Sequence, residues 1–367
     1  MPVEVTREQV LGFRVRAQQL DRSAVPLADA AACDAGVQDT GPDGALWALA
    51  IRGVDVSSLA ADDVVMLWTI RGAPHVYRRA DLPSIAGAVQ PYSEADAVKR
   101  IFDAAKPLEA AGIAVLDALD TVAAQMRKVV TKPMVKGEVS TEITKRVDEP
   151  YLRYCRSCQA THLYELPFRL GATRAGLELQ AGTSPPVLQP IPVFDPTGRP
   201  GDRHDVIRGY LRLLGPATHK HVADYLDSPV KEVKAHWPSD ATEVTVDGAR
   251  RWILESDEPA LSADRPRVTR LIGPYDLFLQ AKDRGLLVPD KARAKKLWPV
   301  LGRPGAVLID GEIAGWWRPR QSGAKLKVAG ELWAPVAAAR RREIEHEAER
   351  LAAFRDGRLT GVDISAP

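Results

Sequence analysis

No apolar run in this chain approaches the ~20 residues needed to cross a bilayer, which argues against a membrane-spanning helix. The opening residues, Met1-Pro2-Val3-Glu4, lack the basic-then-apolar layout of a secretory signal. Cysteine is scarce: Cys33, Cys155 and Cys158 are too few for a disulfide framework and fit a reducing compartment. These absences predict a cytoplasmic protein with no membrane partner. An excess of one charge is missing too. Fifty Lys and Arg against 48 Asp and Glu leave a formal net charge of +2, so only the local distribution of charge can point to a partner. What is present is length and apolar content: 367 residues at 45% hydrophobic suffice for two or three compact units with their own cores.

The stretch 206–254 carries the clearest pattern. Val206, Ile207, Tyr210, Leu211 and Leu214 keep helical spacing until Gly215-Pro216 stops them, and Thr218 can cap a second helix bearing Val222, Ala223 and Leu226. Asp227-Ser228 makes a turn. A third helix follows from Pro229 with Val230, Val233 and Trp237 on one face, ended by Pro238. Residues 243–246, the Asp247-Gly248 turn and residues 251–254 then read as a hairpin. This is the order of a winged helix, a unit that usually places its third helix in the major groove and its wing on the DNA backbone. Lys231 and Lys234 on that third helix suit phosphate contacts better than a sequence code.

Similar successions are expected upstream. Thr6 and Gln9 have capping-box spacing before Val10, Phe13, Ala17 and Leu20, predicting an opening helix; 27–33 and 45–51 read as helical, and 64–70 with 75–77 as strands or as a short helix and a strand. Residues 112–130, 139–147 and 151–163 read as helices, with 168–170 and 177–179 flanking a second wing. Residues 183–200, holding six prolines, read as an extended connector. Beyond 259 the pattern changes to short strands at 271–272, 306–309, 313–317 and 326–329, with Asp310-Gly311 as a hairpin turn, and then to a docking helix over 336–354. The expected fold class is therefore α+β: tandem winged-helix units, a β-rich C-terminal part and a terminal helix. The expected division is 1–110, 111–200, 201–260 and 261–367.

Charge is concentrated in one place. Between Arg267 and Arg303 nine Lys or Arg, among them Lys282, Arg284 and Lys295, face three acids, which makes this stretch either a solvated face or a phosphate-contacting one. Cys155, Cys158 and His162 offer three possible zinc ligands without an evident fourth. With that segment read as a helix, the cysteines are expected as small residues packed beneath a recognition-type helix, and no metal is expected.

Several short motifs in fixed order carry a resemblance: Gly36-Val37-Gln38 with Leu46-Trp47-Ala48 and Arg52; Arg71-Gly72-Ala73-Pro74-His75; Arg208-Gly209-Tyr210-Leu211 with Gly215-Pro216-Ala217-Thr218; Gly273-Pro274-Tyr275-Asp276 with Asp283-Arg284; and Gly315-Trp316-Trp317-Arg318-Pro319-Arg320. Together they resemble the winged-helix DNA-binding proteins that include the AlkZ-like DNA glycosylases, which unhook interstrand crosslinks and excise alkylated bases. The resemblance implies tandem winged helices around duplex DNA, a probe for damaged bases and no metal or organic cofactor. It implies a Gln-x-Gln or Gln-x-Asp motif in the loop of Gln38, Asp39 and Thr40, where Thr40 stands in place of the second amide or acid and the acid is displaced to Asp39.

Three candidate catalytic residues follow, Gln38, Asp39 and Thr40, for a monofunctional, water-dependent hydrolysis of the N-glycosidic bond. The same loop read structurally is a polar turn whose Asp43 or Thr40 caps the helix at Ala45. Arg71 and His75 are candidate DNA contacts, His75 being otherwise a structural hydrogen bonder. Trp316 with Arg318 and Arg320 suits a wedge and its basic flank, with one of Trp316 and Trp317 facing outward or both buried. The other class of function is a non-catalytic winged-helix regulator or scaffold that has lost the excision site. Either way the expected partner is duplex DNA, damaged or not, bound by a monomer in the nucleoid-containing cytoplasm.

Overall fold

The structure, a computed structural model, describes residues 2–41, 43–194 and 201–366. Pro42 of the Gln38 loop and residues 195–200 of the expected connector lie outside the described residues. Two compact units emerge: Met1–Leu59 with Tyr210–His221 and Pro238–Pro367, and Ala60–Gly209 with Val222–Trp237. In chain order the elements are those of an α+β protein with several helix-turn-helix-like successions, a β-rich C-terminal region and a terminal helix. No helix among the described residues is long and apolar enough to cross a membrane.

In the first unit, local sequence chemistry sets the element ends. Helix Arg7–Ala17 opens on a capping box: the Gln9 N–H donates to Thr6 Oγ1 at 3.2 Å, and the Thr6 N–H donates to Gln9 Oε1 at 2.8 Å. Helix His219–Leu226, of which only residues 219–221 belong to this unit, begins with the His221 N–H donating to Thr218 Oγ1. Asp247-Gly248 (φ +47° and +80°) and Asp310-Gly311 (φ +51° and +89°) turn their hairpins in left-handed conformations that Asp and Gly tolerate. The first turn joins Ala241–Val246 to Ala249–Leu254, and strand Val3–Val5 adds to this wing in parallel, Val3 opposite Val244.

The second turn belongs to a five-stranded sheet in the order Thr269–Ile272, Gly305–Ile309, Glu312–Ser322, Lys325–Leu332 and Arg358–Ser365. Its last pair is parallel, because helix Ala338–Phe354 intervenes and crosses the sheet. That helix buries Ile344, Ala348 and Leu351, as expected of a docking helix. Two buried tryptophans tie the unit together. Trp47 Nε1–H donates to Leu271 O at 2.8 Å and Trp317 Nε1–H to Ile272 O at 3.0 Å, consecutive carbonyls of one strand.

The second unit contains a hairpin, Val64–Trp68 with Pro74–Arg78, and a winged helix built from helices Val115–Val129, Lys136–Thr144 and Glu165–Arg174. Its wing pairs Leu177–Leu179 with Val187–Pro190, which also pairs with Met134–Val135. Two expectations are corrected here. The segment expected as a helix over 151–163 is a hairpin, Leu152–Cys155 with Ala160–Leu163, inserted between the second and third helices. Residues 168–170, expected as a wing strand, lie inside helix Glu165–Arg174. Gly171, which lies between the two expected strands, sits inside this helix: a Cβ there would stand 2.7 Å from Val122 Cγ1, so its smallness serves close packing of two helices. The cysteines are accordingly on a hairpin and not beneath a helix. Smaller differences occur at 27–33, which divides into the turn Leu27–Asp29 and the helix Ala32–Ala35, and at Trp237, which lies beyond helix Val230–Ala235.

Candidate nucleic-acid interface and excision site

Within the first unit, Gln38 and Thr40 line a cavity of about 170 Å³ together with Asp43, Tyr275, Asp276, Arg303 and Arg318. Its size matches the ~150 Å³ at which an apolar cavity admits one benzene ring, so it accommodates part of a base or sugar and not a whole extruded nucleotide. The Gln38 amide is held from both ends. Gln280 Nε2–H donates to Gln38 Oε1 at 3.0 Å, and Gln38 Nε2–H donates to Thr40 Oγ1 at 3.0 Å. Gln280 is itself fixed by donating to Tyr275 O at 3.0 Å. Because the Thr40 hydroxyl accepts from Gln38, its own proton is directed elsewhere.

The acids near this amide are occupied. Asp39 does not line the cavity; its Oδ1 accepts the Ala45 N–H at 2.8 Å and so caps helix Gly44–Ala50. Gly44, at φ +45°, makes room for this: a Cβ there would stand 1.9 Å from Asp39 Oδ1. The capping role expected of Asp43 or Thr40 thus falls to Asp39. Asp43 is gripped through both oxygens by Arg355. Asp276 is gripped by Arg52, Nη1 to Oδ2 at 2.7 Å and Nη2 to Oδ1 at 2.8 Å, with both side chains buried. Arg52 also donates to Ala48 O and to Gln18 Oε1, which anchors the wall carrying Tyr275 and Asp276.

With Asp43 and Asp276 neutralised, Arg303 and Arg318 give the cavity a positive rim. The Arg303 guanidinium lies 5.3 Å from the Tyr275 ring centroid, and Arg318 is exposed while donating to Gly302 O. Arg320 and Lys295 are exposed as well. Trp317 is buried and Trp316 half-buried with its Nε1–H on Glu331 Oε2 at 3.3 Å, so the outward position is filled by a tryptophan lying along the sheet. Val300 and Leu301, 94% and 86% exposed, project just ahead of Arg303.

Elsewhere in the first unit, Arg14 and Asp283 form a buried bidentate pair that Arg251 joins. Burial works to raise the Asp283 carboxyl, but Arg14 and then Arg251 outweigh it and hold it below the ordinary carboxylate range. Arg284 is exposed and stacks over Trp298, and Lys282 is half-buried. Of the basic stretch, Arg270 turns inward to Glu347 and Ile51 O, and Arg293 donates to Trp333 O. The stretch therefore serves partly as structure and partly as a solvated face.

In the second unit, Lys231 and Lys234 are exposed on helix Val230–Ala235. Arg71, at φ +58°, stacks on the Tyr225 ring at 4.8 Å. His75 is 1% exposed, its Nδ1 set between Ala73 O at 2.9 Å and Thr69 Oγ1 at 3.1 Å. Burial, with the nearby Arg71 charge, pushes its pKa down to about 3 and keeps it neutral. The imidazole's Nδ1 is turned to its own hairpin.

Sequence reasoning missed Gln280 and the rim role of Arg303. The first had no signal, because its partner Gln38 is distant in sequence; the second was visible only as one more charge in a basic run. Comparison with known proteins places the arrangement. The family model of AlkZ-like DNA glycosylases matches residues 33–354. No curated protein matches the chain. Among solved structures, Streptomyces sahachiroi DNA glycosylase AlkZ superposes with a TM-score of 0.72 at 18% identity, covering 100% of both chains, a likeness of fold. The chain belongs to the AlkZ-like DNA glycosylase family.

Proposed function

We propose that this protein binds duplex DNA and hydrolyses the N-glycosidic bond of alkylated or crosslinked purines without a covalent enzyme intermediate. The observation that carries the reading is the anchored Gln38–Thr40 pair in a cavity with an arginine rim. Breaking the bond develops oxocarbenium character at the sugar, which a carbonyl dipole and an oriented water stabilise. An N7- or N3-alkylated purine already carries positive charge and departs without a general acid. Water attacking so electrophilic a carbon needs orientation more than a strong base, and the Thr40 hydroxyl, set by Gln38, supplies it; the cationic base leaves as the neutral purine and the water's proton passes to solvent. Gln38 and Thr40 are then the catalytic pair, Gln280 a positioning residue and Asp39 a structural cap. Arg303, Arg318, Arg320 and Lys295 hold phosphates, with Lys231 and Lys234 as further contacts. The wedge role expected of Trp316 passes to Val300 and Leu301. The protein acts as a monomer on chromosomal DNA in the cytoplasm.

The occupied acids favour a second reading, a DNA-binding protein whose excision site is silent. One assay separates the two: duplex containing N7-methylguanine is incubated with the protein, and alkali reveals abasic sites. Release above the spontaneous rate supports excision; none, in protein that binds the duplex, supports the silent scaffold. Binding itself should weaken steeply with salt. Arg318→Ala and Lys295→Ala should each reduce the slope of log affinity against log salt by roughly 0.9, without altering sequence preference. Salt-insensitive or absent binding, measured by fluorescence anisotropy, would remove both readings.

A further inference from the structure

The inserted hairpin of the second unit brings Cys155, Cys158 and His162 together. Cys155 ends one strand, Cys158 lies in the turn and His162 stands on the returning strand opposite Arg153. One ligand atom from each, two sulfurs and a ring nitrogen, all lie within 4.8 Å of one another. A tetrahedral zinc with Zn–S near 2.3 Å and Zn–N near 2.0–2.1 Å requires ligand separations of about 3.5–3.8 Å, so closure asks for a contraction of about 1 Å in an exposed turn.

The surroundings are those of a metal knuckle. Ser157 Oγ lies 3.1 Å from Cys155 Sγ and 4.0 Å from Cys158 Sγ. His162 Nδ1 donates to Leu163 O at 2.8 Å. A proton on Nδ1 leaves the Nε2 lone pair as the ligand, and a backbone carbonyl is a common partner for the second nitrogen of a metal-binding histidine. The expectation of no metal rested on the want of a fourth ligand and on a helix; the structure replaces the helix with this hairpin.

We infer that Cys155, Cys158 and His162 form a three-ligand site for a thiophilic divalent cation, zinc foremost, with the fourth position taken by solvent. Binding exchanges the two thiol protons for the ion, and nothing is oxidised or reduced. The site lies outside the Gln38 cavity's lining and owes nothing to the excision reading. Its effect is to pin the hairpin between the two helices it separates.

The test uses the full chain, reduced, freed of metal with a chelator, given zinc chloride alone and then gel-filtered. Elemental analysis should find one zinc per chain, and cobalt in its place should show sulfur-to-cobalt charge transfer and the intense visible bands of tetrahedral coordination. Cys158→Ser and His162→Ala should each lose the ion to background and abolish the tetrahedral cobalt spectrum, while Cys33→Ala retains both. Cys158 is exposed, so its replacement tests ligation without disturbing a core; circular dichroism checks that each variant folds. Zinc at background in the reduced wild type, or retained by the Cys155→Ser/Cys158→Ser double variant, would overturn the assignment. So would a chain that stays two hydrogens light by intact mass after reductant treatment, the mark of a Cys155–Cys158 disulfide in place of a metal site.

Discussion

Gln38→Ala should lower base release from N7-methylguanine duplex by about 10²–10³-fold, the effect of removing one oriented dipole from a transition state that develops charge. The loss should fall on the single-turnover rate, with duplex affinity within several-fold of wild type, because the phosphate contacts proposed above belong to Arg303, Arg318 and their neighbours and not to Gln38. Thr40→Val, which keeps the shape and deletes the hydroxyl, should act in the same direction. Asp39→Ala is the informative contrast. It removes the cap that receives the Ala45 N–H and should cost about 1 kcal/mol of stability while release stays near wild type. Should Gln38→Ala release base at the wild-type rate, or Asp39→Ala abolish release in folded protein, the assignment of roles within this loop fails.

Asp276→Ala should destabilise the first unit by about 3–5 kcal/mol, because it strands the buried Arg52 guanidinium without its carboxylate. Both partners are at most 1% exposed, so solvent offers little relief. The loss also reaches the Phe278 N–H, which donates to Asp276 Oδ1 at 2.9 Å. Urea unfolding followed by the fluorescence of Trp47 and Trp317, both buried in this unit, would register it as a lower midpoint. Replacing the pair together, Arg52→Met with Asp276→Leu, should recover much of the stability, since apolar replacement avoids the stranded charge. An unchanged midpoint in Asp276→Ala would show that the pair contributes nothing net.

Much of the fold was legible because its determinants are local. The Thr6–Gln9 capping box, Thr218, and the Asp-Gly turns at 247 and 310 each act within four residues, and each does what its chemistry predicts. Strands were misjudged where local pattern and partner disagree. Val3–Val5 is too short to announce itself and exists because Ala241–Val246 receives it, and Arg358–Ser365 is broken by Gly361 and lined with charge. The 151–163 hairpin was lost because Tyr151, Leu152, Tyr154, Cys155 and Leu163 mimic a helical spacing. In the candidate site, Gln38 and Thr40 were visible through the family pattern, whereas the fate of three carboxylates was not. Asp39, Asp43 and Asp276 look equally free in the sequence, and only the positions of Ala45, Arg355 and Arg52 show each to be taken.

The strand Val3–Val5, paired with residues near 244, also dictates a timetable for the nascent chain. The first unit joins Met1–Leu59 to Tyr210–His221 and Pro238–Pro367, so residues 1–59 leave the ribosome before the partners that complete their unit. Most of the second unit, 60–209, is contiguous and emerges next. The second unit, complete once residues 222–237 have followed, is therefore assembled before the first, against the usual N-terminal-first order. Until residues 241–246 arrive, strand Val3–Val5 waits with an unpaired edge, a period in which it is open to mispairing.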